Sequence, residues 1–150
     1  MMHFWGNIEA KTDTKGRVFI PSGFRKQLQT ASEERLIMKK DIFQDCLILY
    51  PESTWNEDLN EFRKRLNKWD SQHQLLFRQY ISDVEQVTID SNGRILIPKR
   101  YLAMCKIISD VKFIGLDNKI EIWAKELATE PFMSVENFRQ TLEKVMGEKI

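Results

Sequence analysis

The strongest constraint on the fold is that this 150-residue chain repeats part of its own sequence. Residues 8–21 align with residues 85–98, so that the same Asp, Gly, Arg, Ile and Pro recur 77 positions later. Residues 46–50 align with residues 119–123 at an offset of 73, and the change in offset falls in the loops between the two matches. Each copy spans about 45 residues, too few to bury one face of a sheet alone. We therefore expect the two copies to pack against each other or to interlock.

Each copy carries the pattern of two strands, a helix and two further strands. Alternating apolar and polar residues before Asp13 predict a strand, and residues 17–20 predict its partner in a hairpin. The Asp-x-x-Gly sequence between them is typical of a turn, because aspartate accepts backbone hydrogen bonds and glycine tolerates a positive φ. Pro21 and Pro98 suit the first turn of a helix. The other predicted elements are helices at 22–29 and 99–104 and hairpins that join 36–40 with 47–50 and 111–115 with 120–123.

A helical insert separates the two copies. Apolar residues three or four positions apart predict one face of a helix, and they are Trp55, Leu59, Phe62, Leu66 and Trp69. Asp70 and Ser71 interrupt this pattern, and the apolar residues between 75 and 81 indicate a second helix.

The tail after the second copy predicts one more amphipathic helix. Ser134 is its expected N-cap, and its apolar stripe, which we expect to dock on a partner surface, consists of Val135, Phe138, Leu142 and Val145. The chain thus divides into a first unit (1–52), the helical insert (53–82), a second unit (83–125) and a C-terminal tail (126–150).

Positive charge is concentrated in the parts that repeat. The net charge is only +1, but residues 1–26 and 88–106 each carry +3, so the rest of the chain carries −5. With 42% hydrophobic and 30% charged residues, the composition fits a globular protein. No stretch approaches the ~20 apolar residues of a membrane span, and the first residues lack the pattern of a secretory signal. We expect a cytoplasmic protein with no membrane partner.

The sequence offers no metal site and no catalytic centre. Cys46 and Cys105 lie in apolar surroundings, and His3 and His73 are the only histidines, whereas a structural zinc site takes four closely spaced Cys or His ligands. No nucleophile with a base, no G-x-S-x-G motif and no phosphate-binding glycine loop occurs. We expect buried, reduced thiols, no metal, no cofactor, no small-molecule substrate and no enzymatic activity.

The repeated turns are the candidate functional site. Each has an arginine directly after its glycine, and an exposed guanidinium can bind phosphate oxygens, or guanine O6 and N7, through two parallel hydrogen bonds. A two-stranded ribbon also fits the major groove. A merely solvated turn of this sequence is common, but its duplication with the charge retained favours DNA binding. The candidate DNA-binding residues are Lys11, Lys15, Arg17, Arg25, Asn92 and Arg94, with Asp13, Gly16, Asp90 and Gly93 shaping the turns.

The paired turns resemble the two D-x-K/x-G-R motifs of the MraZ family. Residues 13–17 and 90–94 carry these motifs, each followed by Ile-Pro, and the similarity extends over about residues 1–125. The resemblance implies an α+β fold: two tandem SpoVT/AbrB-like units (swapped-hairpin, double-split β-α-β) forming a small β-barrel-like core, with the helical insert and a C-terminal helix. It also implies a nucleoid-associated bacterial regulator of the division and cell-wall genes, a ring-shaped homo-oligomer that binds repeated promoter elements in double-stranded DNA.

By position, the resemblance implies that Lys15, Arg17 and Arg94 bind the DNA. Asn92 replaces the expected lysine of the second copy, so that turn should release fewer counterions. Two alternatives stay open: an AbrB-fold antitoxin that binds DNA and neutralises a toxin, and a structural ring protein whose basic turns only solubilise its surface.

Overall fold

The structure, a computed structural model, describes residues 2–147. Over these residues the chain is a mixed α+β protein. Its strands are β1 (Asn7–Lys11), β2 (Arg17–Phe19), β3 (Arg35–Lys40), β4 (Leu47–Pro51), β5 (Val84–Thr88), β6 (Arg94–Leu96), β7 (Asp110–Gly115) and β8 (Ile120–Ala124). Its α-helices are α1 (Ser22–Thr30), α2 (Glu52–Lys64), α3 (Ser71–Ser82), α4 (Lys99–Met104) and α5 (Val135–Gly147), and a short 3-10 helix spans Lys125–Leu127.

Proline marks the entry to three of the helices. Pro21, Pro51 and Pro98 occupy the N-cap positions of α1, α2 and α4, with φ between −50° and −57°. Because the proline ring fixes φ near this value and removes a donor, it ends the preceding strand and lets a helix begin. The predicted helices after Pro21 and Pro98 are confirmed, with α1 one residue longer than expected.

The strands form a large antiparallel sheet and a small one, both made from the two copies. The six-stranded sheet has the order β1-β7-β8-β4-β3-β5, and the two-stranded sheet pairs β2 with β6. The predicted hairpins β3–β4 and β7–β8 are confirmed. At two places in the sheets, a residue of the first copy pairs with the residue that aligns with it in the second copy. Val18 lies across from Ile95 in the small sheet, and Ile48 lies across from Glu121 in the large one. An approximate twofold axis therefore relates the copies.

The predicted pairing of residues 17–20 with the preceding strand is wrong. β1 pairs along its whole length with β7, and β2 pairs with β6. The chain does turn tightly between β1 and β2, where the Asp13 N–H donates to the Arg17 carbonyl at 2.8 Å. The two strands then separate, because each satisfies its backbone groups on a strand of the other copy.

The main hydrophobic core is shared by the two copies. Residues of both units are fully or almost fully buried in it, among them Phe4, Ile20, Leu28, Leu36, Leu49, Ile97, Tyr101, Phe113 and Ile122. Cys46 and Cys105 are buried free thiols, as expected. Burial raises the pKa of both thiols, that of Cys105 to about 11, so both stay protonated and unreactive near neutral pH.

The helical insert packs on the outside of the large sheet. Trp55 and Leu59 of α2 form a second buried cluster with Ile37, Ile48 and Tyr50. The predicted single helix face through Trp69 is wrong, because α2 ends at Lys64 and the Trp69 side chain is 85% exposed. Asp70 instead caps α3, accepting hydrogen bonds from the backbone N–H groups of Gln72 and His73.

The tail helix lies outside this core. The Ser134 hydroxyl accepts a hydrogen bond from the Asn137 N–H at 3.2 Å, which confirms the predicted N-cap. No described residue of α5 is buried, and the apolar stripe is 48–87% exposed. Among residues 2–147, no helix is both long enough and apolar enough to span a membrane.

Candidate nucleic-acid interface

The turn between β1 and β2 is organised by the Asp13 carboxylate. One of its oxygens accepts hydrogen bonds from the N–H groups of Lys15 and Arg17, each at 2.9 Å. The other accepts the Nε–H of the Arg17 side chain at 2.6 Å. One carboxylate therefore fixes both the backbone of the turn and the Nε end of the Arg17 guanidinium.

The turn between β5 and β6 repeats this network. Asp90 accepts the N–H groups of Asn92 and Arg94 at 2.8 and 2.9 Å, and its second oxygen accepts Nε–H of Arg94 at 3.1 Å. The hydrogen bonds that close the backbone match as well: Gly16 N–H donates to Asp13 O at 3.1 Å, and Gly93 N–H to Asp90 O at 3.0 Å. The duplicated sequence thus yields duplicated geometry.

Both turns require glycine. Gly16 and Gly93 have φ of +89° and +88°, a region that other residues rarely adopt. A Cβ on Gly16 would lie 2.8 Å from the carbonyl oxygen of Ile97, and one on Gly93 would meet the Arg25 guanidinium. The glycine carbonyls accept the N–H groups of Ile97 and Ile20 at 2.9 and 3.1 Å, so each turn extends the β2–β6 ladder.

The short β2–β6 ribbon collects the two arginines on one face. Val18 and Ile95 point inward and are 1% exposed, whereas the alternate residues Arg17, Phe19, Arg94 and Leu96 face outward. Arg17 lies across from Leu96, and Phe19 lies across from Arg94. The arginines are thus two residues apart along the ribbon, roughly 7 Å at the rise of a strand. We call these four residues the ribbon face.

Phe19 and Leu96 were not among the residues predicted for this face. The signal was present in the alternation of β2 and β6, because positions two residues after each turn arginine must share its face. In the predicted β1–β2 hairpin these side chains would have had other neighbours, and only the observed pairing of β2 with β6 brings them beside the turn arginines.

The two arginine side chains are ion-paired and partly buried, rather than fully exposed as the sequence predicted. Their ion pairs with Asp13 and Asp90 leave the side chains 37% and 23% exposed. Only Nε is engaged, and within residues 2–147 neither arginine donates a hydrogen bond from its terminal nitrogens. The Arg94 guanidinium also lies 5.8 Å from the centre of the Phe19 ring. Each side chain is therefore held at Nε, and no hydrogen bond within the described residues occupies its terminal nitrogens.

The other candidate residues differ in their surroundings. Lys15 and Asn92 are exposed at corresponding positions of the two turns. Lys11 ends β1 and lies 3.7 Å from the Asp110 carboxylate. Arg25 is half-buried: it packs against Gly93 and donates to the Ile20 carbonyl at 3.1 Å, so it supports the second turn.

The charges of the two turns are unequal. The hydrogen bond from the Arg17 N–H, together with the adjacent guanidinium, lowers the pKa of Asp13 to about 2. The same contacts with Arg94 lower the pKa of Asp90. Both aspartates are therefore ionised at neutral pH and offset one arginine each. Residues 13–17 carry a net charge of +1 because of Lys15, and residues 90–94 carry none.

Other surfaces of the chain are chemically distinct from the ribbon face. Within the described residues, no group of three or more His, Cys, Asp or Glu side chains could hold a metal ion. A groove of about 810 Å³ lies between α2 and α3, lined by Leu66, Phe77 and Ile81 with Arg63 and Arg78. It shares no residue with the ribbon face.

The fold and the candidate site together define the class of protein to which this chain belongs. It is an α+β protein with an internal repeat, whose copies complete each other's sheets and present two matching Asp-x-x-Gly-Arg turns on one small ribbon. The sequence model described as "MraZ protein, putative antitoxin-like" matches residues 3–78 and 81–127. The chain belongs to the MraZ family.

Relatives similar to this chain over nearly its whole length carry the name Transcriptional regulator MraZ. The Bacteroides thetaiotaomicron protein is 70% identical over 149 residues, covering 99% of this chain and 96% of the relative. The Bacteroides fragilis protein is 64% identical, covering 99% and 94%. A more distant relative from Caldanaerobacter subterraneus is 34% identical over 125 residues, with 83% of each chain covered.

Proposed function

We propose that this chain is a DNA-binding transcriptional regulator that applies the ribbon face to the major groove of its target. The observation that carries this proposal is the pair of arginines on one outward face, each held at Nε by an aspartate of its own turn. A guanidinium fixed at Nε keeps its terminal N–H groups for two parallel hydrogen bonds, the geometry suited to phosphate or to guanine O6 and N7.

The surroundings of the ribbon face support the same role. A two-stranded ribbon is narrow enough to enter a major groove about 12 Å wide. Lys15 and Asn92, at the exposed ends of the turns, are suited to contact the phosphates that flank the groove. Lys11 and Arg25 are assigned lesser roles, because Asp110 and the Ile20 carbonyl already engage them.

The proposal includes the assembly and the target. The chain would act in the cytoplasm on the nucleoid, as a ring-shaped homo-oligomer that binds repeated promoter elements of the division and cell-wall genes. Its two SpoVT/AbrB-like swapped-hairpin units (1–52 and 83–125) would form a barrel-like core, flanked by the helical insert (53–82) and the tail (126–150). The exchange of strands between copies supports the shared core, and the exposed stripe of α5 supports assembly. The names of the relatives support the regulatory role.

A binding titration with two variants tests the proposal. The probe is the duplex just upstream of the chain's own gene, and binding is followed by mobility shift. Arg17→Ala should weaken binding by about 1–3 kcal/mol, because one bidentate contact is lost. Arg65→Ala, which removes the same charge from the exposed end of α2, is the matched control and should bind like the wild type. An Arg17→Ala chain with unchanged affinity would contradict the proposal.

A second candidate is an antitoxin that binds DNA and also neutralises a toxin. The description of the family as antitoxin-like and the unburied apolar stripe of α5 favour it. Co-purification of the tagged chain with a small toxin, lost on removal of residues 131–150, would support this role. The third candidate, a structural ring whose basic turns only solubilise it, requires that no duplex binds.

A further inference from the structure

The ribbon face places large apolar side chains in solvent beside its arginines. Phe19 and Leu96 are 55% and 52% exposed, although both belong to strands whose inward residues are completely buried. Neither belongs to any of the hydrophobic clusters of the described residues. An apolar pair between two cations fits a ligand that offers apolar groups close to hydrogen-bond acceptors.

The register combines each apolar side chain with one arginine. Phe19 lies directly across from Arg94, and Leu96 directly across from Arg17. Side chains paired in this way have Cβ atoms about 5 Å apart, and the Arg94 guanidinium lies 5.8 Å from the Phe19 ring. The approximate twofold axis through Val18 and Ile95 relates the two pairs, so the ribbon face carries the same combination twice.

The major groove offers a matching combination of groups. Guanine O6 and N7 accept two hydrogen bonds from an arginine, and the 5-methyl of thymine is the apolar group that a base presents there. Successive bases are stacked 3.4 Å apart, so an arginine and its cross-strand neighbour can reach adjacent base pairs. We propose that Phe19 and Leu96 each contact a thymine 5-methyl group beside the guanine bound by the paired arginine.

This inference rests on the proposed DNA binding and adds a rule for sequence preference. The arginines alone select guanine, and the apolar partners select thymine in the neighbouring base pair. The two pairs lie on opposite strands of an antiparallel ribbon, so the ribbon face should favour two guanine–thymine steps within one groove.

Removing the thymine methyl groups tests the inference directly. The upstream duplex is amplified once with dTTP and once with dUTP, so that the two probes differ in the 5-methyl group alone. Wild-type chain should bind the dUTP probe at least fourfold more weakly, because each lost methyl contact corresponds to about fourfold in affinity. The double variant Phe19→Ser/Leu96→Ser should bind the two probes equally.

A control variant separates the ribbon face from general surface effects. Ile42 and Phe43 are 63% and 87% exposed in the loop between β3 and β4. Ile42→Ser/Phe43→Ser removes a similar exposed apolar pair and should keep the full preference for thymine.

Each outcome of the test decides one of the two proposals. A wild-type chain that binds neither probe overturns the proposed function itself. A wild-type chain that binds both probes equally overturns the inference and leaves DNA binding intact, whatever the variants do. A ribbon-face variant that keeps the preference also overturns it, because the methyl groups would then act through the shape of the duplex.

Discussion

At the scale of single residues, the two aspartates determine what the turn arginines can do. An unrestrained arginine loses rotamer entropy when it binds, whereas Arg17 and Arg94 are already oriented by Nε contacts to Asp13 and Asp90. Each aspartate lowers the net charge of its turn. Its ion pair with the arginine also fixes the direction of the terminal nitrogens. In the proposed complex, Asp13 and Asp90 therefore position the arginines in addition to shaping the turns.

The lowered pKa of Asp13 predicts how stability depends on pH. The pKa is about 2 in the folded chain and 3.8 without its contacts, so the ionised form stabilises the fold fully above about pH 5. This contribution is lost as the pH falls towards 2. Thermal melts of wild type and Asp13→Asn at fixed protein concentration should show the wild type more stable at pH 7, with a gap that closes between about pH 5 and pH 2. A gap that stays constant over this range would exclude the ionised Asp13 as its source.

The geometry of Gly16 predicts opposite effects for two glycine substitutions. Gly16→Ala should destabilise the fold by more than about 1 kcal/mol, because a Cβ at φ +89° would lie 2.8 Å from the Ile97 carbonyl oxygen. Gly23→Ala should be neutral or stabilising by up to about 1 kcal/mol, since Gly23 is helical and its Cβ would meet nothing within 4 Å. Chemical denaturation measures both. Equal effects at the two sites would rule out turn strain as the cause.

At the scale of elements, the sequence predicted where strands and helices lie better than which strands pair. The position of β1 follows from its alternation and the turn at Asp13, but alternation says only which face is apolar. Because the two copies carry nearly the same pattern, the sequence is compatible with pairing of β1 to a strand of either copy. Its pairing with β7 depends on packing across the whole core, which no local pattern contains. The DNA-contact candidates in the turns could be predicted, whereas Phe19 and Leu96 required the observed β2–β6 register.

The boundary of α2 shows another limit of local patterns. Leu66 and Trp69 continue the helical spacing of α2. Asn67 instead accepts the Trp69 N–H within the connection, and Asp70 accepts the Gln72 N–H at the start of α3. Short polar side chains that accept backbone N–H groups compete with helix formation, and here they prevail over apolar spacing.

The exposed stripe of α5 predicts an effect on assembly. Phe138 and Leu142 are 58% and 48% exposed in a single chain. If a neighbouring copy covers them in the proposed ring, Phe138→Glu/Leu142→Glu should lower the mass in solution, as measured by sedimentation, without altering the helix content. Gln140→Glu on the opposite face of α5 is the control and should keep the full mass. Unchanged mass in the double variant would remove α5 from the assembly interface.

At the scale of the whole molecule, a net charge of +1 is compatible with strong DNA binding because the charge is unevenly distributed. Counterion release depends on the cations that reach phosphates, and distant carboxylates contribute little beyond a Debye length of about 10 Å. Affinity should therefore fall steeply with salt despite the small net charge. The salt slope then measures how many cations each turn contributes.

The difference between Lys15 and Asn92 allows the two turns to be compared by this slope. Lys15→Ala removes the extra cation of the first turn, and Asn92→Lys adds the corresponding cation to the second, since both positions are exposed. If both turns face phosphates, Lys15→Ala should reduce the slope of log K against log salt by about 0.9 per engaged chain, and Asn92→Lys should increase it by the same amount.

Because the number of chains on the DNA multiplies both changes equally, their ratio does not depend on the size of the assembly. A ratio near one, from titrations between 50 and 200 mM salt on one duplex, would mean that the copies contact DNA equivalently. An unchanged slope in Asn92→Lys, beside a reduced slope in Lys15→Ala, would mean that the second turn stands away from the phosphates and that the duplicated geometry is used unequally.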